Sequence, residues 1–387
     1  MQDRLTDLAV GNVLSNAVNI GNRLNLFKAI ADISDEQNPA LPERIAETAG
    51  CKERYVREWC NTLACGHILE VNEKEEFWIA KENLEVSYFS RVRPPIPNIL
   101  TFQALTTDNF PLIFNTMLST VLKPIDILIE CFKKEGPYGL DYSVYSDFEE
   151  MQQKFAKATS EKHVIPSLVP AIGHGIPERL VSGIRVLDVG CGGGLHVRLL
   201  ADHFPNSVFV GLDITEKAIE QAKLHKKSDG SDFKNLEFVV GDAGNMPKDW
   251  MDSFDLVLLF GSCHDQMRPD LVFLILIVNQ CNFNKFQCLL EVHRVVKPDG
   301  IVAVTDVDGS SNVHTDRETY GKMAAMKYGG SMLHCLPVGS NSPDALCCGS
   351  MWGRKRAVAL MNKCGFDDVE IIPTDYFPGS VLYLMKK

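Results

Sequence analysis

The sequence has no apolar run long enough to span a membrane, no Cys-x-x-Cys pair among its twelve cysteines and no surplus of positive charge. Each absence removes a class of function. A spanning helix needs about 20 consecutive apolar residues. Residues 1–30, amphipathic but interrupted by Asp3, Arg4, Asp7, Arg23 and Lys28, do not read as a secretory signal. Scattered cysteines without zinc or redox spacing are expected to be free thiols in a reducing, cytoplasmic setting, with no metal site. A net charge of -11 speaks against a polyanionic partner, so neither nucleic acid nor membrane is expected.

What remains is a chain of 387 residues, 45% hydrophobic and 23% charged, which is ordinary for a globular protein and long enough for two cores. Its organising stretch is Ile184-Arg185-Val186-Leu187-Asp188-Val189-Gly190-Cys191-Gly192-Gly193-Gly194. A β-branched apolar run enters a glycine turn and then a helical pattern at Leu195, Val197, Leu199 and Leu200. This is the opening strand, turn and helix of a nucleotide-type α/β site, where bare backbone lets a ligand lie close. Three further apolar runs follow. Asp213 closes the run at 208–212, at the distance where an acidic residue meets ribose hydroxyls. Phe238-Val239-Val240 ends in Gly241-Asp242-Ala243, and the run at 254–260 ends in Gly261-Ser262-Cys263-His264-Asp265.

Residues 184–306 resemble the class I S-adenosylmethionine-dependent methyltransferases. The resemblance is carried by Val186-Leu187-Asp188-Val189-Gly190-Cys191-Gly192, Asp213, Gly241-Asp242-Ala243 and Glu291-Val292-His293-Arg294-Val295-Val296-Lys297-Pro298-Asp299-Gly300. The whole chain is similar to the small-molecule branch with an N-terminal winged helix. The resemblance implies a Rossmann-like, doubly wound, mostly parallel seven-stranded sheet of α/β class, with S-adenosyl-L-methionine as cofactor. It implies three regions: a winged-helix and dimerisation domain at 1–93, a helical connector and substrate lid at 94–172, and the cofactor domain at 173–387.

Along the chain, apolar residues from Leu5 to Phe27 at helical spacing predict one long helix, packing on a partner subunit in a homodimer or within the chain's own core. Residues 41–49 and 53–65 read as helix, turn, helix, and 68–71 with 77–79 as the two strands of a wing. Lys52, Arg54 and Arg57 at the second helix's start could face DNA, but Glu53, Glu58, Glu73, Glu75 and Glu76 dilute that field. Pro94-Pro95-Ile96-Pro97 marks a connector. The segment at 98–172 is expected to be mostly helical, with Phe102, Phe110, Phe114 and Phe132 among its aromatics. Residues 272–287 interrupt the expected passage from the fourth strand into a helix, and their apolar patch lacks helical period. We read them as an insertion or a retained, translated intron. Residues 300–306 form the fifth strand, 307–349 a long irregular stretch, 352–363 a helix, and 369–372 with 380–385 an antiparallel finish.

Methyl transfer from a sulfonium requires a held cofactor, an aligned nucleophile and a destination for any proton. Gly190, Gly192 and Gly194 give close backbone approach, Asp213 meets the ribose and Asp242 the adenine amino group. The resemblance gives Asp188 the glycine loop or the cofactor's amino-acid end, and completes the set with Cys191, Ile214, Gly241, Ala243, Phe260 and Gly261. His264, just past the fourth strand, is the candidate general base, with Asp265 to orient it. Asp306 could line the pocket. Tyr142, Tyr145, His334 and Trp352 are candidate substrate contacts. The expected function is methyl transfer to an oxygen, nitrogen or sulfur atom of a small molecule. The alternatives are a winged-helix DNA-binding regulator and an inactive cofactor-binding scaffold.

Overall fold

The computed structural model describes residues 2–80, 120–145, 148–266, 288–377 and 379–387. The chain divides into two compact units. One comprises Met1–Ser146, Gly309–Pro343 and Gly349–Met351, and the other Asp147–Asp308, Asp344–Cys348 and Trp352–Lys387. The proline connector at 94–97, the aromatics Phe102, Phe110 and Phe114, and the suspected insertion at 272–287 lie outside the described residues.

In the first unit the expected single N-terminal helix is instead two, Gln2–Arg23 and Leu26–Ile33. Asn25 breaks them in the left-handed region at φ 55°, a conformation asparagine tolerates better than most residues. The break seats Phe27 edge-on against Trp59, with ring centroids 5.1 Å apart. Helices Pro42–Ala49 and Glu53–Cys65 then follow, with the short antiparallel strands β1 (Glu70–Val71) and β2 (Phe77–Trp78) as the wing.

The stretch expected to be irregular is mostly helical. It forms Val313–Tyr320, Lys322–Gly330, a wide turn at Ser331–Cys335 and Leu336–Gly339. Helix Lys322–Gly330 buries Ala324, Ala325, Met326, Tyr328 and Gly329 and packs against Glu53–Cys65 and Gln2–Arg23. A helix enclosed on several sides has no polar face, so no period announces it in the sequence. The approach is close enough that a Cβ on Gly329 would stand 1.9 Å from Val13 Cγ1.

The second unit is built on a seven-stranded sheet in the order β5-β4-β3-β6-β7-β9-β8. The strands are β3 (Arg185–Val189), β4 (Val208–Asp213), β5 (Leu236–Val240), β6 (Phe254–Phe260), β7 (Val296–Val307), β8 (Glu370–Pro373) and β9 (Ser380–Lys386). β3 to β7 are mutually parallel, while β9 runs antiparallel to β7 and β8. Apolar layers cover both faces: Leu187, Val257 and Val304 on one, Val186, Leu256 and Ala303 on the other. Such two-sided burial explains why these strands read as unbroken apolar runs. The chain moves outward from β3 through β4 to β5, then returns to the other side of β3 with β6. That reversal makes the carboxyl ends of β3 and β6 the topological switch point, where open α/β sheets take their ligands.

Candidate active site

Five strand ends converge on that edge. After β3 the loop carries Gly190, Gly192 and Gly194 at φ of +72°, +52° and +71°, which a side chain would resist. Leu212 at the end of β4 accepts hydrogen bonds from the amides of Gly190 (2.8 Å) and Cys191 (3.0 Å). Asp213, the last residue of β4, accepts from the Gly192 amide on Oδ2 and the Thr215 amide on Oδ1, each at 2.8 Å. One carboxylate thus fixes the glycine loop and the start of the next helix. Gly241, at the end of β5, donates its amide to the Asp213 carbonyl at 2.9 Å. Asp242 accepts from Gly244 at 2.7 Å. Ile214 is exposed beside this edge, while Ala243 and Cys191 are buried.

Asp188 is wholly buried, and neither of its carboxylate oxygens has a hydrogen-bond partner among the described residues. Burial, reinforced by the charge of Asp213, pushes its carboxyl up to about 8. Burial likewise raises the Cys191 thiol, with Asp188 and Asp213 adding to the effect, so this cysteine is not a ready nucleophile. Phe260, at the tip of β6, stacks on His196 with ring centroids 3.9 Å apart and planes 18° apart. Desolvation, then Arg198, holds that imidazole down to about 4, so it is neutral at neutral pH.

The loop after β6 is tied on both sides. The Gly261 amide donates to the Thr305 carbonyl of β7 at 2.7 Å, and Ser262 Oγ donates to the Val189 carbonyl of β3 at 2.7 Å. Between these anchors His264 is held almost fully buried. Its Nδ1 lies 2.6 Å from Asp306 Oδ1 and its Nε2 3.3 Å from Asp265 Oδ1. Asp306, near the tip of β7, also accepts from the Val307 amide at 2.6 Å. Sequence reasoning gave the ring to Asp265 and missed Asp306 as its shorter partner. The available signal was the parallel neighbour: β7 runs beside β6 with Phe260 opposite Thr305, so the next acidic residue stands at the same edge as the histidine. Ser262 and His196 were missed as well, since neither stands out by residue type.

The first unit brings three other expected residues together. Tyr145 is buried, donates its hydroxyl to the Leu333 carbonyl at 2.9 Å and packs its ring 4.7 Å from that of His334. Tyr142 is partly exposed, its ring 5.9 Å from His334. His334 sits in the wide turn Ser331–Cys335, a helical irregularity often found at functional positions. In the second unit, Trp352 is packed in the same apolar layer as Val189, Val292 and Tyr383, at 2% exposure.

Residues 180–352 match the family described as a methyltransferase domain, and residues 12–86 match the Rv2258c-like winged helix-turn-helix domain. With this sheet order and loop, those matches give residues 180–352 a methyltransferase domain of the class I, S-adenosylmethionine-dependent type, preceded by an N-terminal winged helix. Among curated proteins, it is 35% identical to the fatty-acid O-methyltransferase of Mycolicibacterium smegmatis, over 33% of this chain and 38% of that protein. It is 32% identical to the phthiotriol/phenolphthiotriol dimycocerosates methyltransferase of Mycobacterium leprae, over 34% of this chain and 41% of that one. The chain thus spans about two-fifths of the length of these relatives. Among solved structures, an O-methyltransferase family 2 protein from Planctomyces limnophilus in complex with apigenin superposes with a TM-score of 0.58 at 16% identity, covering 99% of this chain and 95% of that one. That likeness is one of fold.

Proposed function

We propose that the protein transfers a methyl group from S-adenosyl-L-methionine to an oxygen, nitrogen or sulfur atom of a small molecule, with His264 as general base. The observation that carries this reading is the His264 ring held between Asp306 and Asp265 at the carboxyl edge of a sheet whose neighbouring loop is bare glycine backbone. The edge fits the cofactor. A Cβ built on Gly192 would meet nothing within 4 Å, so the loop leaves open backbone there, and the buried Asp188 carboxyl has donors to gain. When bound, S-adenosylmethionine supplies an electrophilic methyl on a cationic sulfur that departs as a neutral thioether. Gly190, Cys191, Gly192 and Gly194 would support its amino-acid end together with Asp188. Asp213 would meet the ribose, and Ile214, Gly241, Asp242 and Ala243 the adenine. Phe260 and Gly261 complete that set.

In the proposed chemistry Nδ1–H of His264 donates to Asp306, which fixes the tautomer and leaves the Nε2 lone pair to take the acceptor's proton. The imidazolium so formed lies between two carboxylates. Asp306 is therefore a positioning residue. Of the expected acceptor contacts, Tyr142, Tyr145 and His334 lie together in the first unit, and Trp352 is core in the second. The proposal also includes a homodimer and a reducing, cytoplasmic setting. Among the described residues eleven cysteines stand outside any disulfide and no helix is long and apolar enough to cross a membrane.

The alternative of a DNA-binding regulator is disfavoured by the winged helix itself. Lys52 reaches the Pro137 carbonyl, Arg54 pairs with Glu58 at 2.6 Å, and Arg57 pairs with Glu53 at 2.6 Å and Glu43 at 2.5 Å. The test is titration calorimetry with S-adenosylmethionine, followed by turnover with labelled cofactor and a metabolite extract. His264→Ala is expected to keep cofactor affinity within about twofold while turnover falls about a hundredfold or more. Equal loss of both would show that the residue builds the fold instead.

A further inference from the structure

The glycine loop gives a ligand its bare surface but keeps most of its backbone donors for itself. The amides of Gly190 and Cys191 go to the Leu212 carbonyl, that of Gly192 to Asp213 Oδ2 and that of Gly194 to the Cys191 carbonyl, at 2.8–3.0 Å. A carboxylate laid on this loop sheds water and needs donors in its place, so a side-chain donor has a task here. Helix Phe148–Ser160 brings one. It packs against helix Leu195–His203, into which the loop runs, and both helices belong to the second unit. From it Gln153 reaches onto the loop: a Cβ built on Gly193 would stand 2.2 Å from Gln153 Nε2, 2.4 Å from Cδ and 3.0 Å from Cγ. The amide end of the side chain, not its stem, makes the closest approach. Gly190, Gly192 and Gly194 have positive φ, whereas Gly193 does not. What Gly193 supplies by lacking a side chain is the space in which the Gln153 amide sits. The open face of Gly192, where a Cβ would meet nothing within 4 Å, is the next residue, about 3.8 Å away between Cα atoms.

We propose that Gln153 recognises the carboxylate at the cofactor's amino-acid end, donating to it from Nε2 over the glycine loop, and so selects for a cofactor that carries that group. This inference rests on the methyl-transfer reading. A primary amide suits the place because it offers N–H donors without a net charge. It therefore pairs with the carboxylate and does not repel the ammonium beside it. Gly193 is the other half of the device, since any side chain there would push the amide off the loop. Gln153 acts on binding of the cofactor and takes no part in moving the methyl group or the proton.

The test is calorimetry on the full chain with S-adenosylhomocysteine and with decarboxylated S-adenosylhomocysteine, which keeps the adenine, ribose, thioether and ammonium and lacks only the carboxylate. Weak binding is read by displacement. Wild type is expected to bind the complete compound tenfold or more tighter than the decarboxylated one. Gln153→Ala should weaken S-adenosylhomocysteine roughly ten- to a hundredfold, the span of one hydrogen bond to a charged group, and leave the decarboxylated compound within about twofold of wild type. That unchanged binding doubles as the control that the variant is folded. Gln153→Glu, which sets a like charge against the carboxylate, should cost S-adenosylhomocysteine at least as much. Equal weakening of both compounds in Gln153→Ala would assign the side chain to packing and overturn the proposal, as would wild-type affinity for S-adenosylhomocysteine in either variant. Wild-type protein that binds neither compound refutes the methyl-transfer reading instead, so the two failures are distinguishable.

Discussion

Asp188 offers the sharpest physical test of the site. In the unfolded chain its carboxyl titrates near the ordinary value of 3.8, whereas burial and Asp213 push it up to about 8 in the fold. Between those values the folded state holds a proton that the unfolded state releases. Native protein therefore binds more protons than unfolded protein in that window, and stability falls as pH rises through it. About four pH units at 1.36 kcal/mol each put the lost stability on the order of 5 kcal/mol across the full window. Asp188→Asn keeps the shape and cannot ionise. Burying its amide carries a cost of its own, but that cost is the same at every pH. The diagnostic is thus the slope: the stability of Asp188→Asn relative to wild type should rise by several kcal/mol between pH 5 and pH 8. Urea-unfolding midpoints of both proteins at pH 5, 6, 7 and 8 measure it. A difference that stays flat over that range would show that Asp188 is ionised and satisfied in the fold, and the account of an orphaned carboxyl awaiting a ligand's donors would be refuted.

Two further perturbations probe other parts of the structure. Asp306→Asn should lower kcat about a hundredfold with cofactor affinity unchanged, because the 2.6 Å contact that orients His264 is weakened while the glycine loop is untouched; a matching loss of cofactor affinity, read by calorimetry, would count against a positioning role. Gly329→Ala should destabilise the first unit by about 1–3 kcal/mol through overpacking against Val13. Val13→Ala should recover most of that loss in a double-mutant cycle followed by thermal unfolding.

Much of the second unit was legible because its strands are buried on both faces and so read as apolar runs closed by polar tips. Val186 and Leu187 point to opposite layers, yet both must be apolar, and the glycine loop follows at the one place where backbone must be bare. The Asn25 break was not legible, since the apolar spacing on either side continues as though the helix were whole. Helix Lys322–Gly330 was hidden for the opposite reason: small residues buried on several sides have no alternation to read. The partner of His264 was a matter of strand order. Asp306 lies 42 residues along the chain from the ring, and only the parallel pairing of β6 with β7 makes them neighbours.

The same buried helix weighs against DNA binding by the winged helix. Ten of the thirteen residues of Glu53–Cys65 are buried, and Lys322–Gly330 packs against this helix within the first unit. Presenting Glu53–Cys65 to a DNA groove would require that cover to lift. Lifting it would expose Met326 and Tyr328, at roughly 1.5–3 kcal/mol per large apolar side chain, along with Ala324 and Ala325. It would also break the hydrogen bond from the Tyr328 hydroxyl to the buried Asp316, 2.8 Å long. Those losses total several kcal/mol, comparable with what nonspecific contacts to phosphates supply in salt of physiological strength. The return would be small, because Lys52, Arg54 and Arg57 already hold partners in the chain. In our proposal, a helix-turn-helix whose second helix is roofed by a later segment of its own chain serves as a packing platform, giving the helices of residues 313–339 a surface on which to fold.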